Sequence, residues 1–94
     1  MNYLYVQWLH EHPTEPVQLF SELDDQRWET RKVEIFRDGT KGYAAQDEEI
    51  EGTRLSELPV PLVTEIAADP QFIAREITRE EFEEVWDART SPTR

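Results

Sequence analysis

Tyr3 and Tyr5 alternate with Leu4, Val6 and Trp8, and this period of two in β-forming residues predicts a strand over about residues 2–9. Both faces carry bulk, so the strand is expected to be central or covered on both sides. HEHPTEP, residues 10–16, holds Pro13 and Pro16 and predicts a loop. A second β-like run covers 17–23, Asp24 and Asp25 mark a turn, and a third strand is expected over 27–36. Asp38-Gly39 predicts a hairpin turn, because Gly takes positive φ cheaply and Asp tolerates it. The return strand is then expected over 41–45. QDEEIEGTRLSE, residues 46–57, is acidic and reads as an exposed loop or irregular edge. Leu58-Pro59-Val60-Pro61 is a rigid connector.

The period then changes. Leu62, Val63, Ile66 and Ala67 recur at helical spacing, and Asp69-Pro70 ends that short helix. Residues 72–77 read as a short strand or extended segment, because a helix start follows. Thr78 and Glu81 fit a capping box, with acids in the first turn to suit the helix dipole. Phe82, Val85 and Trp86 form one apolar face, with Glu80, Glu83, Glu84 and Asp87 outside it. The pattern predicts an α+β fold: an antiparallel sheet of about four strands with two helices packed on one face. Residues 1–90 are expected to form one domain and 91–94 a disordered tail. No repeat or low-complexity linker is visible.

Composition narrows the functional classes. Ten basic against 21 acidic residues give a net charge of −11. That field repels phosphate backbones and anionic membrane surfaces, so neither direct nucleic-acid binding nor membrane binding is expected. A basic protein partner is favoured through electrostatic steering. The chain has no cysteine, which excludes disulfides, thiolate catalysis and Cys-based zinc sites. MNYLYVQWLHEH has no basic leader and no long apolar run, and no stretch approaches the roughly 18–20 apolar residues of a membrane span. A cytoplasmic protein is expected.

Candidate chemistry is sparse. His10 and His12 share a face on an extended chain and are weak metal candidates. Zinc takes three or four ligands, and Glu15, Glu22 or Asp24 would complete a set only through the fold. Neither a metal nor a cofactor is expected. Glu22, Asp24 and Asp25 could supply paired carboxylates, but acids in a turn are ordinarily solvated. Arg27, Glu29 and Arg31 fall on one strand face with Val33 and Ile35. Trp28, Thr30, Lys32, Glu34 and Phe36 fall on the other. The run reads either as a ladder of exposed ion pairs worth ~0–1 kcal/mol each or as a recognition strip. In the second reading Arg27 and Arg31 engage a carboxylate or phosphate and Trp28 is an anchor. No Gly-rich phosphate loop, serine elbow or helical HExxH is present.

MNYLYVQWLHEHPTEPVQLFSELDDQRWETRKVEIFRDG, with TRLSELPVPLVTEI, DPQF and EFEEVW further on, resembles a small bacterial family of short stand-alone proteins, a domain of unknown function. The resemblance covers about residues 1–87 and implies no activity. Phe20 stands where Tyr is common in the family, so no role for a hydroxyl carries over to that position.

The expected function is a non-enzymatic acidic binding module. It would act as an inhibitor or immunity-like protein for a basic protein partner, with nucleic-acid mimicry a special case. The candidate binding residues are Trp8, His10, Glu22, Asp24, Arg27, Trp28, Glu29 and Arg31. The alternative is a small enzyme or ligand-binding domain with its charged site near strands one to three, which requires those residues to converge at one end of the sheet. A structural subunit is a third reading. A monomer or weak homodimer is expected.

Overall fold

The computed structural model describes residues 1–90, so the expected tail lies outside the described residues. The period-two runs become β1 (Asn2–Trp8), β2 (Pro16–Leu23), β3 (Glu29–Phe36) and β4 (Lys41–Ala45). The short strand or extended segment expected over 72–77 is β6 (Phe72–Glu76), and with β5 (Glu48–Ile50), which lies in the segment read as a loop or irregular edge, it makes the sheet six-stranded rather than about four-stranded. The helices are α1 (Val63–Ala67) and α2 (Arg79–Asp87). The strand order is β5-β4-β3-β2-β1-β6, and every pairing is antiparallel. No helix among the described residues is long and apolar enough to cross a membrane.

Strand alternation sorts the side chains between two faces. Tyr3 pairs with Glu22 and Tyr5 with Phe20, and these in turn pair with Arg31 and Val33 on β3. This first face carries α2. Tyr3, Ile77 and Phe82 are buried there together, with Tyr5, Phe20 and Trp86 packed around them. Leu4, Val6, Leu23 and Ala44 are buried on the second face. That face is covered by an irregular segment bonded onto it: Thr53 donates to Glu34 and Lys32 donates to the Arg54 carbonyl. α1 follows this segment, lies against β6 and contributes no buried residue. Among the described residues α2 is the helix seated over the first-face core, and α1 meets the sheet at β6.

The ends of α2 are fixed from both sides. Thr78 Oγ1 accepts from the Glu81 amide at 3.1 Å, and Glu81 Oε1 accepts from the Thr78 amide at 2.9 Å, so the capping box is closed. The last turn has no basic residue of its own. Lys41 reaches across from β4 and donates to the Ala88 carbonyl at 2.9 Å, placing a cation at the negative end of the helix dipole.

Two local departures interrupt the regular strand pattern around β3. β3 begins at Glu29 rather than near residue 27, because Arg27 takes a positive φ of 68° in the preceding turn. The β2–β3 register also shifts: Glu22 pairs with Arg31 but Leu23 pairs with Glu29, which leaves Thr30 as an extra residue.

Gly42 is where the covering segment comes closest to the sheet. A Cβ there would lie 2.1 Å from Thr53 Oγ1 and 3.0 Å from the Ile50 carbonyl oxygen, and Thr53 itself is only 1% exposed. Gly42→Ala is expected to lower stability by ~1–3 kcal/mol through overpacking, measured by urea denaturation. A variant as stable as the parent would show that this approach is not tight.

Candidate functional site

Glu22 and Arg31 are directly opposed on β2 and β3, and a group of three charged side chains grows from that register. Arg31 Nε donates to Glu22 Oε1 at 2.8 Å and Nη2 donates to Oε2 at 2.6 Å, a two-pronged pair. The same guanidinium donates from Nη1 and Nη2 to both oxygens of Glu83 on α2, at 3.1 and 2.7 Å. Its Cζ lies 5.0 Å from the ring centroids of both Phe82 and Trp86. Thr30 Oγ1 donates to Glu22 Oε1 at 2.7 Å. One cation thus joins a sheet carboxylate to a helix carboxylate.

The electrostatics follow from that geometry. Hydrogen bonds from Arg31 hold the Glu22 carboxyl below its ordinary range, and Thr30 adds to the effect. Arg31 likewise holds Glu83 down. Accepting groups on both sides raise Arg31 above the usual guanidinium value, first from Glu22 and then from Glu83. Burial raises the Tyr3 phenol, and the neighbouring Glu22 carboxylate raises it further.

Glu29 does not join this group. The extra residue at Thr30 turns Glu29 to the second face, opposite to Arg31, which corrects the expectation that Arg27, Glu29 and Arg31 share one face. Glu29 accepts there from Ser21 Oγ at 2.9 Å and from the Ser56 amide at 2.5 Å, and Lys32 Nζ lies 3.0 Å from it. Its side chain is 4% exposed. The pair holds the covering segment to the sheet and faces no solvent cleft.

Arg27 lies in the turn. Its Nε donates to the Val60 carbonyl and its Nη2 to the Pro61 carbonyl, both at 2.7 Å. Asp24 accepts from the amides of Gln26 and Trp28 at 2.9 and 3.0 Å and shapes the same turn. Trp28 stands on it, 39% exposed.

Trp8 and His10 lie at the far end of β1. Trp8 packs edge-on to His10, with ring centroids 4.4 Å apart, and its Nε1 donates to Gln71 at 3.4 Å. His10 Nδ1 accepts the His12 amide at 3.0 Å, and Nε2 lies 2.7 Å from the Pro16 carbonyl oxygen. That carbonyl can only accept, so His10 carries its proton on Nε2, and both ring nitrogens are engaged. No group of three or more His, Asp or Glu side chains among the described residues could hold a metal ion.

The eight candidate residues therefore divide. Glu22 and Arg31 meet. Glu29 lies on the opposite face, Asp24, Arg27 and Trp28 build one turn, and Trp8 and His10 close the other end of the sheet. Glu83, expected to face outward, is the missing third member of the Arg31 group. It lies 52 positions further along the chain, and nothing in the local helical pattern points to a partner so distant.

A cavity of about 390 Å³ opens on the other flank of α2. Phe20, Ile35, Ile77 and Val85 supply its apolar lining, and Lys41, Arg75, Glu81 and Glu84 its charged margin. None of these eight stood among the expected site residues. The size falls within the ~300–1,000 Å³ range of ligand pockets.

A family model described as a domain of unknown function (DUF6881) matches residues 2–91. No curated protein and no solved structure matches the chain.

The Arg31 group makes stability depend on acid. Glu22 and Glu83 have folded-state pKa values below the ordinary 4.5. Their stabilisation is therefore complete above that value and is lost as pH falls through the folded values. Arg31→Met is expected to cost about 2–4 kcal/mol at neutral pH, because Glu22 is left buried without its cation. Stability should also fall less steeply below about pH 4.5 in the variant than in the parent. Denaturant unfolding across pH 3–7 checks both, and parallel stability curves would contradict the assignment.

Proposed function

The chain belongs to the DUF6881 family, and we propose that it is a non-enzymatic acidic binding module that engages a basic protein partner. One observation carries this reading. Every described Lys and Arg is engaged by the protein's own groups, while many carboxylates are engaged by none. Arg31, Lys32, Arg54, Arg75 and Arg79 meet carboxylates. Arg27, Arg37, Lys41 and Arg89 donate to backbone carbonyls. By contrast, Asp47, Glu48 and Glu51 around β5 and Glu80, Glu84 and Asp87 on α2 are exposed, and none forms a side-chain hydrogen bond or ion pair among the described residues. The charge offered to a partner is therefore carboxylate, beyond what the net value of −11 alone expresses. Such a surface favours fast, salt-sensitive association with a cationic protein.

An inhibitor or immunity-like role in the cytoplasm is the finer form of the same proposal. A small-enzyme reading centred on strands β1 to β3 has less support, because its residues are spread over two faces and both ends of the sheet.

The test is affinity capture from native-host extract, followed by calorimetry on the recovered partner. A basic partner is expected to bind tightly near 50 mM salt and to weaken by at least about tenfold near 300 mM, where screening shortens to several ångströms. The triple variant Glu80→Lys, Glu84→Lys, Asp87→Lys should weaken it further. A partner that is acidic, or whose affinity ignores salt, contradicts the reading.

A further inference from the structure

We propose that the groove between α2 and the uncovered part of the sheet receives a segment of the partner that combines an apolar residue with a Lys or Arg, and that Glu84 receives the cation. This inference rests on the reading of the protein as an acidic binding module and names where the contact is made.

The first argument is coverage. α2 is nine residues long and crosses only part of the first face. Phe20, Ile35, Ile77 and Val85 are left lining a cavity of about 390 Å³. Ile73 points to the same side, two residues from Arg75 along β6, and is 51% exposed. An apolar floor of this kind gains by being taken out of water.

Charge then selects the occupant. Four charged side chains border the groove, and three are committed. Lys41 donates to the Ala88 carbonyl. Arg75 lies 5.0 Å over the Tyr5 ring and 3.7 Å from Glu81. Glu81 also closes the capping box. Glu84 alone of the four has no side-chain partner among the described residues. It is also the middle of an outward stripe, Glu80, Glu84 and Asp87, spaced i, i+4, i+7. Like charges at those spacings oppose the helix, and Asp87 lies in the last turn, where the dipole disfavours an acid. A cation at Glu84 relieves both conflicts. The aliphatic stem of a Lys or Arg can lie along the apolar floor while its head reaches the carboxylate. An anionic occupant meets the unpaired Glu84 and the field of the whole chain, and is excluded.

Titration of the full chain with short peptides of equal length, followed by amide NMR shifts, tests this. One peptide alternates Leu with Lys, one Leu with Glu, and one Ser with Lys. The Leu/Lys peptide is expected to shift the amides of Phe20, Ile35 and Val85 and to bind about tenfold more weakly to Glu84→Gln. Asp47→Asn with Glu48→Gln, away from the groove, is expected to leave that affinity within about twofold. If both Lys peptides bind but leave Phe20, Ile35 and Val85 unmoved, the groove assignment is overturned while the acidic-module reading stands. If Leu/Glu binds as well as Leu/Lys, the role of Glu84 is overturned. If none of the peptides binds, the groove assignment is overturned, while the acidic-module reading is decided separately by the salt dependence of the captured partner.

Discussion

One guanidinium between two carboxylates determines how α2 is seated on the first face. Arg31 takes both oxygens of Glu22 from the sheet and both oxygens of Glu83 from α2. The helix itself buries only one residue completely, Phe82, which is a small apolar grip for an element of nine residues. The ion group adds direction to that grip. Each pair is two-pronged, and the rings of Phe82 and Trp86 shield the guanidinium, so the dielectric is lower than at an open surface. The placement of α2 then decides the rest of the face. With Glu83 held over Arg31, the opposite flank of the helix stands over Phe20, Ile35 and Ile77 and leaves a groove there. Glu80, Glu84 and Asp87 are turned outward.

The second face is held by a different means. Polar contacts pin an irregular segment to the sheet there. Glu29 accepts the Ser56 amide, Thr53 sits over Gly42 and bonds Glu34, and Arg27 takes the carbonyls of Val60 and Pro61. These bonds answer a real need. A segment rich in proline has carbonyls but few amides to exchange in a ladder, and covered carbonyls without donors are costly. The basic residues of the opening strands are thus structural donors.

The strands, the capping box and the Asp38-Gly39 turn were legible in the sequence because each depends on neighbours within a few positions. Period two placed β1 to β4 nearly to the residue, and Thr78 with Glu81 marked the start of α2. The failures are those of range. β5 is Glu48-Glu49-Ile50, poor in β-formers, and becomes a strand only because a tight turn returns it to β4. The extra residue at Thr30 leaves no local mark, and one such residue is enough to send Glu29 to the other face. Glu83 reads as an ordinary solvated acid until the fold brings Arg31 beneath it. The charged strip 27–31 was recognisable as unusual. Its partition into a turn staple, a buried second-face pair and a helix anchor was not.

The most direct test of this account is a double-mutant cycle between Arg31→Met and Glu83→Gln, followed by denaturant unfolding at neutral pH and low salt. If Arg31 joins sheet to helix, the two losses are not additive and the coupling is about 1–2 kcal/mol, within the range for residues sharing one ion group. Additivity within about 0.3 kcal/mol would mean that the guanidinium serves Glu22 alone and that α2 is held by its apolar contacts.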